Sequence, residues 1–297
     1  MSSRFVYLDN GEGRAWIYPE QGFQLFGFEA KRRDGRPVQV VFGPAGPHES
    51  ADRRYGNPIL FPSPGVSNGS QPNSWDYRGR ALPMPQHGWA RNVYWSVEEI
   101  TEHSITAFLT PNSGFRSGFP FDFELQLRYT LEGRTLSLDV TLNNHSSDPF
   151  PYALGFHPYL RTPLGEAGQR AACTVKLPSG TLLRSEDGWR TVIRSEAAAR
   201  VLEAATPGLD GSIVLTETHA RELEVEDHSS GLAARVSVEG SEHSFPVWVI
   251  WSPAPGAPYL CVEPWTDAPN ALNRPNTRSL AAGEAHCYRM SLSLREL

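Results

Sequence analysis

Apolar and polar residues alternate with a period of two through the informative stretches of the chain. The pattern is most regular from Phe121 to Leu131, where Phe121, Phe123, Leu125, Leu127, Tyr129 and Leu131 interleave with Asp122, Glu124, Gln126, Arg128 and Thr130. Successive side chains of a strand point to opposite faces, so this predicts a strand with one face buried. Glu132 and Gly133 supply a turn. Leu136, Leu138, Val140 and Leu142 then alternate with Ser137, Asp139 and Thr141, which predicts a long hairpin ending at Asn143–Ser147.

The same period recurs from Glu222 to Glu226 and from Leu232 to Val238, joined by His228-Ser229-Ser230-Gly231, and at the C-terminus, where Tyr288, Met290, Leu292 and Leu294 share a face. Shorter strands are predicted at Gln24 to Glu29, Val38 to Phe42, Ser104 to Thr110, Val247 to Trp251 and Tyr259 to Val262. Only Ser195 to Ala205, rich in Ala, Arg, Leu and Glu and stopped by Pro207-Gly208, reads as a helix. Many strands and almost no helix predict an all-β fold of stacked antiparallel sheets. The stretch from Gly43 to Gln86, dense in Pro, Gly, Asn and Ser, reads as an ordered loop over a surface or a site. With no composition break or internal repeat, residues 1–297 are expected to form a single domain.

Composition narrows the function classes. The net charge is -6 and basic residues are scattered, which argues against a nucleic-acid partner. No apolar run reaches the ~18 residues of a membrane span, and Met1 to Asn10 lacks the pattern of a secretory leader, so a cytoplasmic protein without membrane contact is expected. Cys173, Cys261 and Cys287 are odd in number and lack CxxC spacing, which predicts neither a disulfide framework nor a zinc site. No GxGxxG or P-loop follows a strand, the Gly65-Val66-Ser67-Asn68-Gly69 string lies within the Gly43–Gln86 loop rather than at a strand-to-helix elbow, and no HExxH occurs, which argues against nucleotide cofactors, serine-hydrolase chemistry and catalytic zinc.

Three clusters set acid–base groups beside Pro, Gly and aromatic residues: Gln86-His87-Gly88-Trp89-Ala90-Arg91, Gly155-Phe156-His157-Pro158-Tyr159-Leu160 and Cys261-Val262-Glu263-Pro264-Trp265-Thr266. A carboxylate at the rim of an apolar strand beside tryptophan is placed for desolvation to raise its pKa. Each cluster alone also has an ordinary structural reading: a histidine beside Pro or Gly as a backbone hydrogen-bonder, Glu263 as a solvated or paired group, and Trp89, Trp251 and Trp265 as core packing rather than platforms for a sugar face.

Taken together with Gly56-Asn57-Pro58-Ile59-Leu60-Phe61-Pro62-Ser63-Pro64-Gly65, and in this order, the clusters resemble the aldose 1-epimerase, or galactose mutarotase-like, family. Its segments Gly-x-Pro-x-Leu-Phe-Pro, His-Gly-Phe-Ala-Arg, Gly-x-His-Pro-Tyr and Glu-Pro-Trp correspond to the four pieces. The resemblance implies a β-supersandwich and cofactor-free interconversion of the α and β anomers of a free aldose. It implies Glu263 as general base, His157 as general acid and His87 as a sugar ligand near the ring oxygen, with Asp210 as a further substrate-binding residue; Arg91 completes the second segment as a candidate contact to hydroxyls, a phosphate or only the loop backbone, and Trp265 is the candidate platform for a sugar face. Many relatives carry an arginine after the Phe-Pro-x-x-Gly segment, where this chain has Val66, Ser67 and Asn68. Asn68, Arg53, Arg54 and Arg80 are candidates to replace that contact.

The chemistry agrees with this assignment. Opening a hemiacetal ring removes a proton from the anomeric hydroxyl and delivers one to the ring oxygen, and one base and one acid suffice. The expectation is that Glu263 is ionised and holds His157 protonated. A hexose 6-phosphate epimerase, with Arg91 and Arg161 as candidate phosphate ligands, and a non-catalytic sugar-binding protein are the alternatives. Glycoside hydrolysis calls for a pair of carboxylates, where the motifs offer one glutamate with histidines.

Overall fold

A computed structural model describes residues 5–44, 54–166, 168–240 and 244–297. Among them, two large antiparallel sheets of 12 and 9 strands dominate. The Phe123–Glu132 and Thr135–Asn144 strands pair in register from Phe123↔Asn144 to Glu132↔Thr135, the hairpin that the alternation predicts. Beside it in the 9-stranded sheet lies the C-terminal strand Ala285–Glu296, which Leu232–Glu239 flanks on its other edge. Leu125, Leu127, Tyr129, Leu138 and Leu292 from this sheet interlock with Ile17, Phe28, Leu160, Trp248 and Val262 from the other, so the main core fills the space between the two. No helix among the described residues is long and apolar enough to cross a membrane.

The predicted helix at Ser195–Ala205 is not formed. The chain there makes two strands, Ile193–Ala197 on one edge of the 12-stranded sheet and Arg200–Glu203 on one edge of the 9-stranded sheet. Helix propensity differs among these residues by only tenths of a kcal/mol each, less than the ladders on Gly180–Arg184 and Cys173–Leu177 supply. Its exposed, charged residues suit an edge.

The Gly43–Gln86 stretch, expected as loop, is ordered through its described part and carries more strand than its composition suggests. Ile59–Leu60 joins the large sheet, and Ser74–Tyr77 pairs with Arg80–Pro83. Cys173 and Cys261 are buried in strands, and Cys287 lies exposed in the C-terminal strand.

Candidate active site

The four sequence clusters meet through backbone pairing. Gly155 sits between Leu60 and Trp265 in the 12-stranded sheet, aligning the first, third and fourth clusters side by side. The second joins them where Phe61 bridges Gly88 and the Phe61 carbonyl accepts the Trp89 N–H at 3.0 Å. Gly88 has φ +70°, and a Cβ there would lie 2.1 Å from the Phe61 oxygen, so this approach requires glycine. Asn57 Oδ1 accepts the His157 backbone N–H at 2.9 Å, and Thr266 exchanges bonds with Leu154.

The strand Tyr259–Trp265 is buried along its whole length. Leu260 and Val262 enter the main core; Tyr259, Cys261, Glu263 and Trp265 alternate onto the sheet's outer face. There a cavity of ≈ 340 Å³ opens, lined by Tyr159, Val249, Trp251, Val214 and the Glu263 strand, with Gly65, Val66, Gln86, His87 and Arg91 on one side. Its size suits a small ligand.

Glu263 is 1% exposed and His157 6%. Their Oε2 and Nε2 atoms are 3.5 Å apart, and the same Oε2 accepts the Trp265 Nε1–H at 3.2 Å. His157 lies flat against Tyr159, with ring centroids 4.6 Å apart and planes 9° from parallel. His87 is locked differently. Its backbone N–H donates to the Gly65 carbonyl, and its Nδ1 accepts the Gly65 N–H at 3.0 Å. A ring nitrogen that accepts carries no proton, so neutral His87 holds its proton on Nε2 as a donor.

Burial pushes the Glu263 carboxyl well above the usual carboxylate range, against the opposing Trp265 hydrogen bond. Burial, reinforced by the Arg91 charge, pushes His157 down. Burial, His157 and Arg91 together push His87 well below an ordinary histidine. Both shifts run against the charged forms, opposite in direction to the ion pair that the sequence leads one to expect.

Of the six residues predicted for the site, Glu263, His157, His87, Arg91 and Trp265 line the cavity. Asp210 stands exposed in the turn Leu209–Gly211, its carbonyl accepting the Trp251 Nε1–H at 3.1 Å, while its neighbours Gly211 and Ser212 reach the lining. Of the candidates for the missing family arginine, Arg54 lines the cavity with Val66. Arg80 lies exposed in the Arg80–Pro83 strand, Asn68 binds the Gly188 carbonyl, and Arg53 is outside the described residues. Arg161 donates to Gln39 Oε1 at 3.0 Å and takes no part in the lining. Trp251 and Trp265 face the cavity, whereas Trp89 packs on Phe115, centroids 5.3 Å apart.

Trp189 is a lining residue that the sequence reading missed. It sits with φ +71° in the loop between Gly180–Arg184 and Ile193–Ala197, where Ser185 Oγ accepts its N–H. Asn68 and Asn270 fasten this loop through the Gly188 and Trp189 carbonyls. The available signal was Asp187-Gly188-Trp189, a turn sequence carrying a tryptophan between two strands.

Comparison with known proteins places the chain among relatives of the same fold. The chain is 27% identical over 248 residues to the plasmid protein LacX of Lactococcus lactis subsp. lactis, covering 76% of this chain and 79% of that protein. Slr1438 from Synechocystis superposes with a TM-score of 0.83 at 21% identity, covering 100% of this chain and 97% of that one. A galactose mutarotase-like protein from Lactobacillus casei gives 0.79 at 22% identity, covering 98% and 100%. The aldose 1-epimerase family model matches residues 4–293, in keeping with the stacked-sheet fold: the chain belongs to the aldose 1-epimerase family.

Proposed function

We propose that the protein is an aldose mutarotase, interconverting the α and β anomers of a free aldohexose with Glu263 as general base and His157 as general acid. The observation that carries this reading is the buried Glu263–His157 pair, 3.5 Å apart, at the wall of a cavity of ligand size. Glu263 takes the proton of the anomeric hydroxyl as the C1–ring-oxygen bond breaks, and His157 gives its proton to the ring oxygen. The products are the open aldehyde, protonated Glu263 and neutral His157. Rotation about C1–C2 presents the other carbonyl face, and the reverse transfers close the ring.

The transfer takes the dyad from ion pair to neutral pair, the direction in which burial shifts both groups. Sugar hydroxyls and the Trp265 N–H support the carboxylate at the start, offsetting the cost that burial places on the ion pair. His87 Nε2–H is a donor suited to an oxygen of the ring. Trp189, Trp251 and Trp265 offer apolar faces to the sugar's C–H surfaces.

A second reading within the same chemistry, a sugar bearing a phosphate at carbon 6, is favoured by one observation: Arg54 and Arg91 both line the cavity. Polarimetry or NMR exchange on freshly dissolved α-anomers, neutral and 6-phosphorylated, tests both. Acceleration with the neutral sugars supports the first reading, and a preference for 6-phosphates that Arg54→Gln and Arg91→Gln abolish supports the second. Tight sugar binding without acceleration would leave a binding protein and sink the catalytic reading.

A further inference from the structure

The proposed mechanism makes no use of Cys261, yet this fully buried thiol precedes Glu263 by two residues on the same face of the Tyr259–Trp265 strand. One ligand-capable atom each of His157, Cys261 and Glu263 lies within 4.8 Å of the other two. His157 Nδ1 is buried with no hydrogen-bond partner among the described residues. We propose that His157, Cys261 and Glu263 form a binding site for a thiophilic divalent cation of the zinc class, and that a cation held there blocks anomer exchange by engaging the acid and the base together.

Imidazole nitrogen, thiolate sulfur and carboxylate oxygen are the donors zinc takes, with bonds of about 2.0–2.3 Å. A tetrahedron of such bonds sets its corners roughly 3.5 Å apart. The cluster therefore closes on a cation through side-chain movements on the order of 1 Å, a scale that rotamer adjustment supplies. His157 and Glu263 border the cavity, which gives the ion its way in. The thiol proton leaves to solvent as the thiolate binds, and three protein donors leave a fourth position for water or a sugar hydroxyl. The inhibitory half of the proposal rests on the mutarotase reading; the site itself does not.

Cobalt(II) is the direct probe, since a cobalt–thiolate bond gives an intense near-ultraviolet charge-transfer band. The full-length protein, dialysed against chelator, is expected to develop this band with one equivalent of cobalt. Zinc is expected to abolish exchange, and chelator to restore it. Cys261→Ala should keep basal exchange, lack the band and need at least about a hundredfold more zinc for equal inhibition. Cys261→Val, closer in volume, replaces it if the alanine variant fails to fold. No charge-transfer band in the parent protein, or equal zinc sensitivity with and without the thiol, overturns the site. A band in a metal-binding protein that exchanges no sugar even when metal-free would keep the site and remove both the inhibition and the mutarotase reading.

Discussion

The hairpin Phe123–Glu132/Thr135–Asn144 and the strand Tyr259–Trp265 are both antiparallel strand structure, but they are buried differently. In the hairpin, buried positions alternate with partly or fully exposed ones. In Tyr259–Trp265 every residue is buried, one face against the core and the other against the cavity and the aromatic clusters beside it. The hairpin's outward residues meet water and are free to be polar. The outward residues of Tyr259–Trp265 have left water, so a carboxyl there is displaced from its ordinary protonation. Burial on both faces of a strand is what turns a structural element into a chemical one.

The sharpest way to break this contrast is Glu263→Gln. Exchange is expected to fall by about a thousandfold, within the range for general base catalysis. The melting temperature at neutral pH should rise by at least about 2 °C, because a buried carboxyl disfavoured in its charged form no longer opposes folding. The sign with pH follows. Glu263, raised in the fold, keeps a proton that the unfolded chain loses above about 4.5, so it removes stability as pH climbs from there through the raised value. His157, lowered in the fold, removes stability as pH falls below about 6.5. Melting curves against pH, with chelator present, should show the alkaline decline in the parent protein and less of it in the variant. An unchanged rate would take Glu263 out of the mechanism.

The hairpin supplies the opposite case. Leu127→Ala, at a fully buried position, should cost about 2–5 kcal/mol of stability in denaturant titration while leaving kcat and KM of the folded protein unchanged. Next in size, His157→Asn should slow exchange by at least about a hundredfold with little change in sugar affinity, whereas His87→Asn should weaken binding as well. The reverse outcome, affinity lost at His157 and rate alone lost at His87, would exchange the two roles. The smallest effect is expected at Trp189→Ala, which should raise KM about tenfold with kcat nearly unchanged, and Trp189→Phe should restore most of it. A fall in kcat alone would argue that the loop shapes the dyad rather than the sugar's seat.

What could be read from the sequence follows the same division. Alternation exposed the hairpin, the Glu222–Asp227/Leu232–Glu239 pair and the C-terminal strand, because water on one face imposes a two-residue period. It could not mark Ser195–Ala205, whose mostly exposed edge strands lack a buried face to write the pattern. Glu263, His157, His87, Arg91 and Trp265 were legible only through their local clusters. Arg54 belongs to no cluster and entered only as one of four candidates to replace the family arginine; Trp189 belongs to none and was missed. Trp189 reaches the cavity because Asn68 and Asn270, distant in sequence, hold its loop, and no local rule encodes that distance.

The row Leu60–Gly155–Trp265, joined through Phe61 to Gly88, has a kinetic consequence. Its members are separated by tens to hundreds of positions along the chain, so each pairing closes a long loop and carries the entropic cost of such closure. Neither Glu263 nor His157 can be in place until these distant segments have met. During refolding, sugar exchange should therefore return only with the last cooperative phase. A partly folded chain, however rich in hairpins, would be catalytically silent.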